Sequence, residues 1–232
     1  MLKIKRRFIT EKWFYDSVSL FDIFNLVSYR QSKASSNLIF LMEEFFTIHI
    51  NLYDEIDFIF KNFSKNSKYE IRRAYKEGVV LKKENIDIKE YVKFYNNFAD
   101  AKRLSPISVK EISYYWKYLI IFIAYYNKDP LVINSYIIDR ERARLFHSIS
   151  IFRIEDENRY KSNFYGFANR ALHFEAIKYF KSQNYKIYDL GGITKECNNG
   201  IDKFKLSFSK NIVKEYNFVS LILYILKKIK KI

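Results

Sequence analysis

Residues 185–208, YKIYDLGGITKECNNGIDKFKLSF, decide how the chain folds. Residues 185–190 are aromatic and β-branched enough to form a strand, and Gly191-Gly192 ends it by supplying backbone freedom that a Cβ removes. Asn198-Asn199-Gly200 is a second turn signal, after which Lys205 stands between Phe204 and Phe208. A carboxylate, Asp189, therefore sits at a strand end beside two glycines that let a substrate approach the backbone. The lysine lies in an apolar setting, where it is poised to stabilise an anion.

The runs YDLGGI and GIDKFK resemble the end of the acyltransferase module in the Fem family, the peptidoglycan-bridge aminoacyltransferases, a branch of the GNAT fold. Upstream, SKYEIRRAYKEGV (67–79) is similar to that family's S/T-x-x-x-IRKA-x-KEGV segment, and ANRALH (168–173) resembles the start of the helix before the YDLGG strand. The three matches come in the family's order and span most of residues 38–218. The resemblance implies an α/β (α+β) chain with a single GNAT-like acyl-CoA N-acyltransferase fold, its mixed and mostly antiparallel sheet flanked by helices. It implies acyl transfer to an amine of a cell-envelope precursor, of peptidoglycan or surface polysaccharide. Lys205 would stabilise the oxyanion, Asp189 would orient or deprotonate the amine, and Gly191 and Gly192 would allow close approach. The alternative for Asp189 is a strand-end cap. One departure is that Ser209 and Lys210 follow Phe208 where the family commonly has Gly-Gly.

The chain's 232 residues suffice for one well-cored module but not for the family's usual pair. The division expected is a 1–37 extension packed on the domain, a 38–218 acyltransferase domain and a 219–232 basic amphipathic tail. With 49% hydrophobic and 19% aromatic residues, disorder is excluded. A single cysteine, Cys197, excludes an intramolecular disulfide and fits a reducing, cytoplasmic setting. Without a His/Asp relay nearby it reads as a loop thiol before a nucleophile. The net charge of +15 would draw tRNA, nucleotide-linked sugars or an anionic membrane. A composition rich in Lys, Asn, Ile, Tyr and Phe is also what an AT-rich coding sequence yields, so charge alone decides little.

Along the chain, MLKIKRRF lacks the apolar stretch of a secretory signal. A short helix is expected over 13–27, a loop over 31–37, and a hairpin of strands 38–41 and 45–50 with His49 facing solvent. Helices follow over 53–63 and 68–77, the second with Ser67 and Glu70 as a capping box and Gly78 at its end. On it Arg72 and Lys76 share a face, which in the Fem-like reading meets an anionic substrate; alternatively, Arg73 pairs with Tyr69 and Glu77 on a solvated surface. Helices are expected over 86–101 and 109–126. A hairpin of strands 131–138 and 143–152 turns at Asp139-Arg140-Glu141-Arg142, with His147 on the core face beside Leu145 and Ser148 looking into the cleft. Near the start of a helix over 163–180, Asn169, Arg170 and His173 present donors to a carboxylate or phosphate. A last strand over 212–218 leads into FVSLILYIL and KKIKKI, too short to span a bilayer but suited to lie on an anionic membrane as a peripheral contact, or to pack on the domain.

No P-loop, GxGxxG or HExxH is present, and three scattered histidines with one cysteine leave no zinc-site spacing, so no metal is expected. The Q/R-x-x-G-x-G/A loop that holds the CoA pyrophosphate in ordinary GNAT enzymes is also missing. That points to aminoacyl-tRNA as donor, with acyl-CoA and a nucleotide-linked amino sugar as the alternative pair of substrates. From a different class, a non-catalytic module would bind RNA or membrane through its basic surface.

Overall fold

The computed structural model describes residues 1–34, 40–150 and 162–230. In chain order the strands are β1 (Leu2–Arg6), β2 (Ile9–Trp13), β3 (Val27–Ser32), β4 (Phe40–Asn51), β5 (Val80–Glu84), β6 (Leu119–Tyr126), β7 (Asp129–Ile138), β8 (Arg142–Ser150), β9 (Ile187–Ile193) and β10 (Ile212–Ser220). The α-helices are α1 (Ile56–Asn62), α2 (Lys65–Lys76), α3 (Ile88–Lys102), α4 (Val109–Trp116), α5 (Ser162–Ser182), α6 (Gly200–Leu206) and α7 (Leu221–Lys230), and a 3-10 turn covers Leu20–Phe24. The strands make one sheet in the order β1-β2-β3-β10-β4-β9-β8-β7-β6-β5. Only β2–β3 and β8–β9 are parallel, so the sheet is mixed and mostly antiparallel, as expected.

Two faces of this sheet are covered differently. Helices α1, α2 and α5 close one face over Ile48, Phe122, Val132, Tyr136, Tyr188 and Leu190, and Phe208, which follows α6, joins the same core. On the other face α3 and α4 cover β6–β8 through Tyr91, Ile112, Ile121, Ile133 and Ile149. Beyond them the N-terminal strands curl over: Leu2, Ile4, Trp13 and Phe14 pack on Tyr115 of α4 and Ile137 of β7. The central strands are thereby enclosed on that face by the first strands of the chain.

Several expectations are corrected. In the 13–27 segment no α-helix forms: Trp13 ends β2, Leu20–Phe24 is the 3-10 turn and Val27 opens β3, with Trp13 and Phe14 drawn into the cluster with Tyr115. The 38–50 hairpin is the single strand β4, in which Glu43 and Glu44 stay solvent-exposed without a turn; residues 35–39 lie outside the described residues. Gln31 and Ser32, expected in a loop, end β3. The 109–126 helix stops at Trp116, and its second half, LIIFIAYY, becomes β6, since sheet packing on both sides outweighs a helical aromatic spacing. The cap of α2 is Ser64, whose side chain accepts from the Ser67 N–H, so Ser67 lies inside the first turn. His49 is buried rather than solvent-facing. On β8 a bulge lets Ser135 pair with His147 and Tyr136 with Leu145, skipping Phe146. His147 thereby turns to Tyr91, whose hydroxyl lies 2.7 Å from its Nδ1, and no longer shares a face with Leu145; Ile151, expected beside it, lies outside the described residues.

The three histidines give the fold a pH dependence. Burial, with Lys205 and Arg170 adding repulsion, pushes His173 down to about 3; burial and then Arg144 push His147 down to about 4, and burial lowers His49. Below an ordinary histidine pKa near 6.5 the unfolded chain binds more protons than the fold, so stability is lost as pH falls from there. Urea unfolding should show a loss of about 2 kcal/mol or more between pH 6.5 and 4, with a shallower dependence in His173→Gln. A flat profile would refute neutral, buried histidines.

Candidate functional site

Asp189 lies at the middle of β9, fully buried. Its Oδ1 accepts from the Thr47 hydroxyl and from the Gly191 N–H at 2.7 Å, and its Oδ2 accepts from Gln31 Nε2 at 3.1 Å and from Arg142 Nε at 3.0 Å. Arg142 reaches further, donating Nη1 to Glu215 Oε1 at 2.7 Å and Nη2 to Glu215 Oε2 at 2.9 Å. Its Nη2 also lies 2.8 Å from His49 Nε2; a guanidinium only donates, so His49 accepts there and carries its proton on Nδ1. The Phe14 ring packs under the guanidinium at 4.4 Å. Burial pushes the Asp189 pKa up, but Arg142, with Arg144 and the hydrogen bond from Thr47, outweighs it and holds the carboxyl well below the usual range. Burial opposes the Arg142 charge, and Asp189 with Glu215 more than restores it. With both oxygens occupied, Asp189 anchors β3, β4, β8 and β10 to β9 and has no acceptor free for a substrate amine.

Immediately beyond this anchor the sheet forks. β8 and β9 pair only at Arg142↔Ile187, Ala143↔Tyr188 and Arg144↔Asp189, after which β8 stays with β7 and β9 with β4. A bulge at Leu190-Gly191 accompanies the divergence, with Gly191 in the left-handed region at φ +79°. A Cβ on Gly192 would sit 2.8 Å from the Phe45 ring, so each glycine is required, one for its backbone and one for its lack of bulk. Lys205 comes to the fork from α6. Asn199 caps that helix by accepting from the Asp202 N–H, and buried Asp202 accepts from the Thr194 N–H and from Asn199 Nδ2, locking α6 to the end of β9. Lys205 Nζ donates to the Gly192 carbonyl at 2.6 Å. Lys205 Nζ and Arg144 Nη2 lie 3.6 and 3.9 Å from where a Gly191 Cβ would be, so two cations converge on one backbone position. Burial, then Arg144, lowers Lys205 to about 8 against the partial pull of Asp189 and Asp202. This lysine is a strong hydrogen-bond donor that is easily deprotonated, suited to a charge that develops and then disappears.

Behind the fork, under the curled N-terminal strands, is a cavity of about 240 Å³ lined by Arg6, Glu11, Arg30 and Arg144 with Trp13 and Tyr115 as aromatic walls. Glu11 is saturated by Arg6 Nη1 at 2.9 Å, Trp13 Nε1 at 3.2 Å and the Tyr115 hydroxyl at 2.8 Å. Arg144 donates Nη1 to the Leu145 carbonyl, lies between Trp13 and Phe45, and keeps its buried Nε without a partner. Among the described residues neither Arg30 nor Arg144 has a carboxylate within ion-pair distance. The cavity thus has two uncompensated guanidinium groups.

The structure places Asp189, Gly191, Gly192 and Lys205 close together at the fork. Ser148 and Asn169 bond each other at 3.4 Å on the α5 side, with Asn134 donating to Asn169 at 3.0 Å. Arg170 pairs with Glu70 at 2.8 Å and stacks on Phe204, so it braces α6. His173 is fully buried, with Nδ1 2.6 Å from the Tyr188 hydroxyl. Arg72 and Lys76 are exposed on α2, Arg72 over the Phe60 ring, and Arg73 bonds Tyr69 and Glu77 as the solvated-surface alternative expected. Arg142, Glu215, Gln31, Thr47, Arg30 and Arg144 carried no sequence signal of their own. Arg142 read as part of a charged turn and Gln31 as part of a loop. Among the described residues no group of three or more His, Cys, Asp or Glu side chains is placed to hold a metal ion.

No family model and no curated protein matches the sequence. Solved structures do match the fold. FemX aligns with a TM-score of 0.59 at 10% identity over 79% of this chain, which spans 63% of the FemX chain. The C-terminal DUF2156 domain of a putative lysylphosphatidylglycerol synthetase from Agrobacterium fabrum aligns with a TM-score of 0.60 at 9% identity, covering 98% of this chain and 83% of that one. The chain has a Fem-like GNAT fold.

Two substitutions test the anchor and the fork. Arg142→Ala leaves Asp189 and Glu215 buried without their counter-charge and should cost about 3–5 kcal/mol in urea unfolding. Gly192→Ala should cost about 2 kcal/mol, most of it recovered in a Phe45→Leu background that removes the ring. If Gly192→Ala proved neutral, Phe45 would not be confining the strand.

Proposed function

We propose that the chain is an acyltransferase that moves an acyl or aminoacyl group onto an amine at the β8–β9 fork. The observation that carries this reading is the convergence of Lys205 and Arg144 on Gly191 where the two parallel strands part. The Fem-like GNAT fold shared with FemX and the synthetase domain supports it. In the reaction the amine attacks the donor carbonyl, a C–N bond forms, and the carbonyl oxygen becomes an oxyanion. The Lys205 ammonium swings its hydrogen bond from the Gly192 carbonyl to that oxyanion. The tetrahedral centre then collapses, the donor's oxygen or sulfur leaves, and the amine's proton departs with it or with solvent. Positioning in the fork and stabilisation of the oxyanion lower the barrier.

The acceptor in this reading is an anionic cell-envelope precursor, whose phosphate or carboxylate groups the Arg30 and Arg144 guanidiniums hold in the basic cavity. The name of the similar synthetase, lysylphosphatidylglycerol, likewise describes an aminoacyl group joined to a phosphate-bearing acceptor. Aminoacyl-tRNA is the proposed donor. An acyl-CoA donor with a nucleotide-linked amino sugar as acceptor is the second reading, because the same cavity suits a pyrophosphate.

Melting of the purified chain with each ligand separates the donors: stabilisation by charged but not uncharged tRNA supports the first, and stabilisation by a CoA ester supports the second. Lys205→Ala should lower kcat by about 10²- to 10³-fold. Since the ammonium form is required and its pKa is about 8, kcat should fall as pH rises through that value, and the fall should vanish in Lys205→Met. Turnover of Lys205→Ala within about threefold of wild type would rule out the role, since the lysine would then contribute less than 1 kcal/mol to the barrier.

A further inference from the structure

The turn Leu20–Phe24 has no buried residue, and Phe21 and Phe24 are 87% and 80% exposed. Helix α7 packs beside this turn and against β10 and β4. It turns Leu223 inward, yet Ile222, Ile225, Leu226 and Ile229 are exposed. Those four recur at i, i+3, i+4 and i+7, so they form one stripe, and the stripe faces outward where a surface helix ordinarily shows polar side chains. Leu20, Leu41, Met42 and Leu221 are also exposed on the same elements. Apolar residues gathered in this way mark a surface that meets something.

Charge identifies what it meets. Lys228 is exposed on α7, and Lys227 is half-buried, its pKa lowered by burial and then by Arg30. The acid within the turn, Asp22, is taken by Lys12 at 2.5 Å and by the Tyr29 hydroxyl, and Glu44 on β4 is taken by Lys214. A second copy of the chain would bring its own cations against these; an anionic bilayer satisfies both the apolar stripe and the lysines. Spanning is excluded for α7, which has ten residues where about 20 are needed.

We infer that the face built from Leu20–Phe24 and α7 lies flat on an anionic phospholipid bilayer, with Phe21, Phe24 and the Ile222–Ile229 stripe entering the interface and Lys228 meeting the headgroups. This docking goes beyond acyl transfer and stands whether or not that reaction occurs.

The test is co-sedimentation of the full chain with vesicles of phosphatidylcholine alone or of about three parts phosphatidylcholine to one part phosphatidylglycerol. Binding should require the anionic lipid and weaken with salt. Phe21→Ser/Phe24→Ser and Ile225→Ser/Ile229→Ser should each weaken it about tenfold with unchanged melting, because the side chains removed are exposed. Lys228→Glu, which touches no core, should weaken it about fivefold. No preference for the anionic vesicles, or binding indifferent to all three variants, would overturn the inference. So would a dimer in solution that the serine variants dissolve without any lipid binding, since the face would then be a contact between copies.

Discussion

The structure depends on one guanidinium. Arg142 lies between Asp189 and Glu215 with its side chain 5% exposed, and it closes a network reaching Gln31, His49 and, through Asp189, Thr47. Removing these charges from water costs several kcal/mol per ion, and only dense hydrogen bonding repays it. Here the carboxylates and the guanidinium are bonded on nearly every side. What such a network supplies beyond stability is registry. Five strands put polar side chains into it, β4 two (Thr47 and His49) and β3, β8, β9 and β10 one each, and a slip of one residue in any of them would turn those groups into the apolar core on the α5 face.

The fork follows from that registry. Because Asp189 is fixed, the bulge must come after it, and the Gly191 N–H turns back to the same carboxylate that holds the strand. β9 then leaves β8 with Gly191 in a left-handed conformation and Gly192 pressed on Phe45, and the gap is wide enough for Lys205 to enter from α6. Burial first, and then Arg144, lower the Lys205 pKa, and the pull of Asp189 and Asp202 only partly offsets them. A fully satisfied anchor thus sits directly behind an under-satisfied cation, so rigidity and reactivity are adjacent without being shared by one residue.

The parts legible in the sequence were those whose signal is local. Gly191-Gly192, the strand before them, the helix ending at the YDLGG strand and the β7–β8 hairpin all declare themselves through turn chemistry or short-range alternation. The network around Asp189 is not legible in the sequence, because its side-chain partners come from residues 31, 47 and 142, far apart in the chain and unremarkable in their own segments. The N-terminal strands failed for the same reason. Their aromatics mixed with Asp16 and Asp22 suit a helix locally, but Trp13 ends β2, and the curl of the sheet draws Trp13 and Phe14 onto Tyr115. The His147 face was misassigned because a bulge, which no alternation pattern reveals, shifts the parity by one.

The excess of positive charge can be divided by residue type. A nucleotide bias that loads the chain with lysine acts on every position alike, and most exposed cations here are lysines, so the surface alone would not distinguish bias from function. The enclosed cations differ: Arg6, Arg30, Arg142 and Arg144 line or underlie the cavity, and Arg170 braces the helix behind it. Burial lowers Arg144 and Arg170 as well, but arginine starts so high that it keeps its charge, whereas Lys205 is brought to about 8. In the proposed reading, a cavity that holds an anion at any physiological pH needs arginines, and the half-buried Lys205 stands at the fork, where a group able to exchange its proton near pH 8 has a chemical use. In the acyl-transfer proposal this separates permanent cations for holding an anion from a titratable cation for the reaction, a division that bias in composition does not produce.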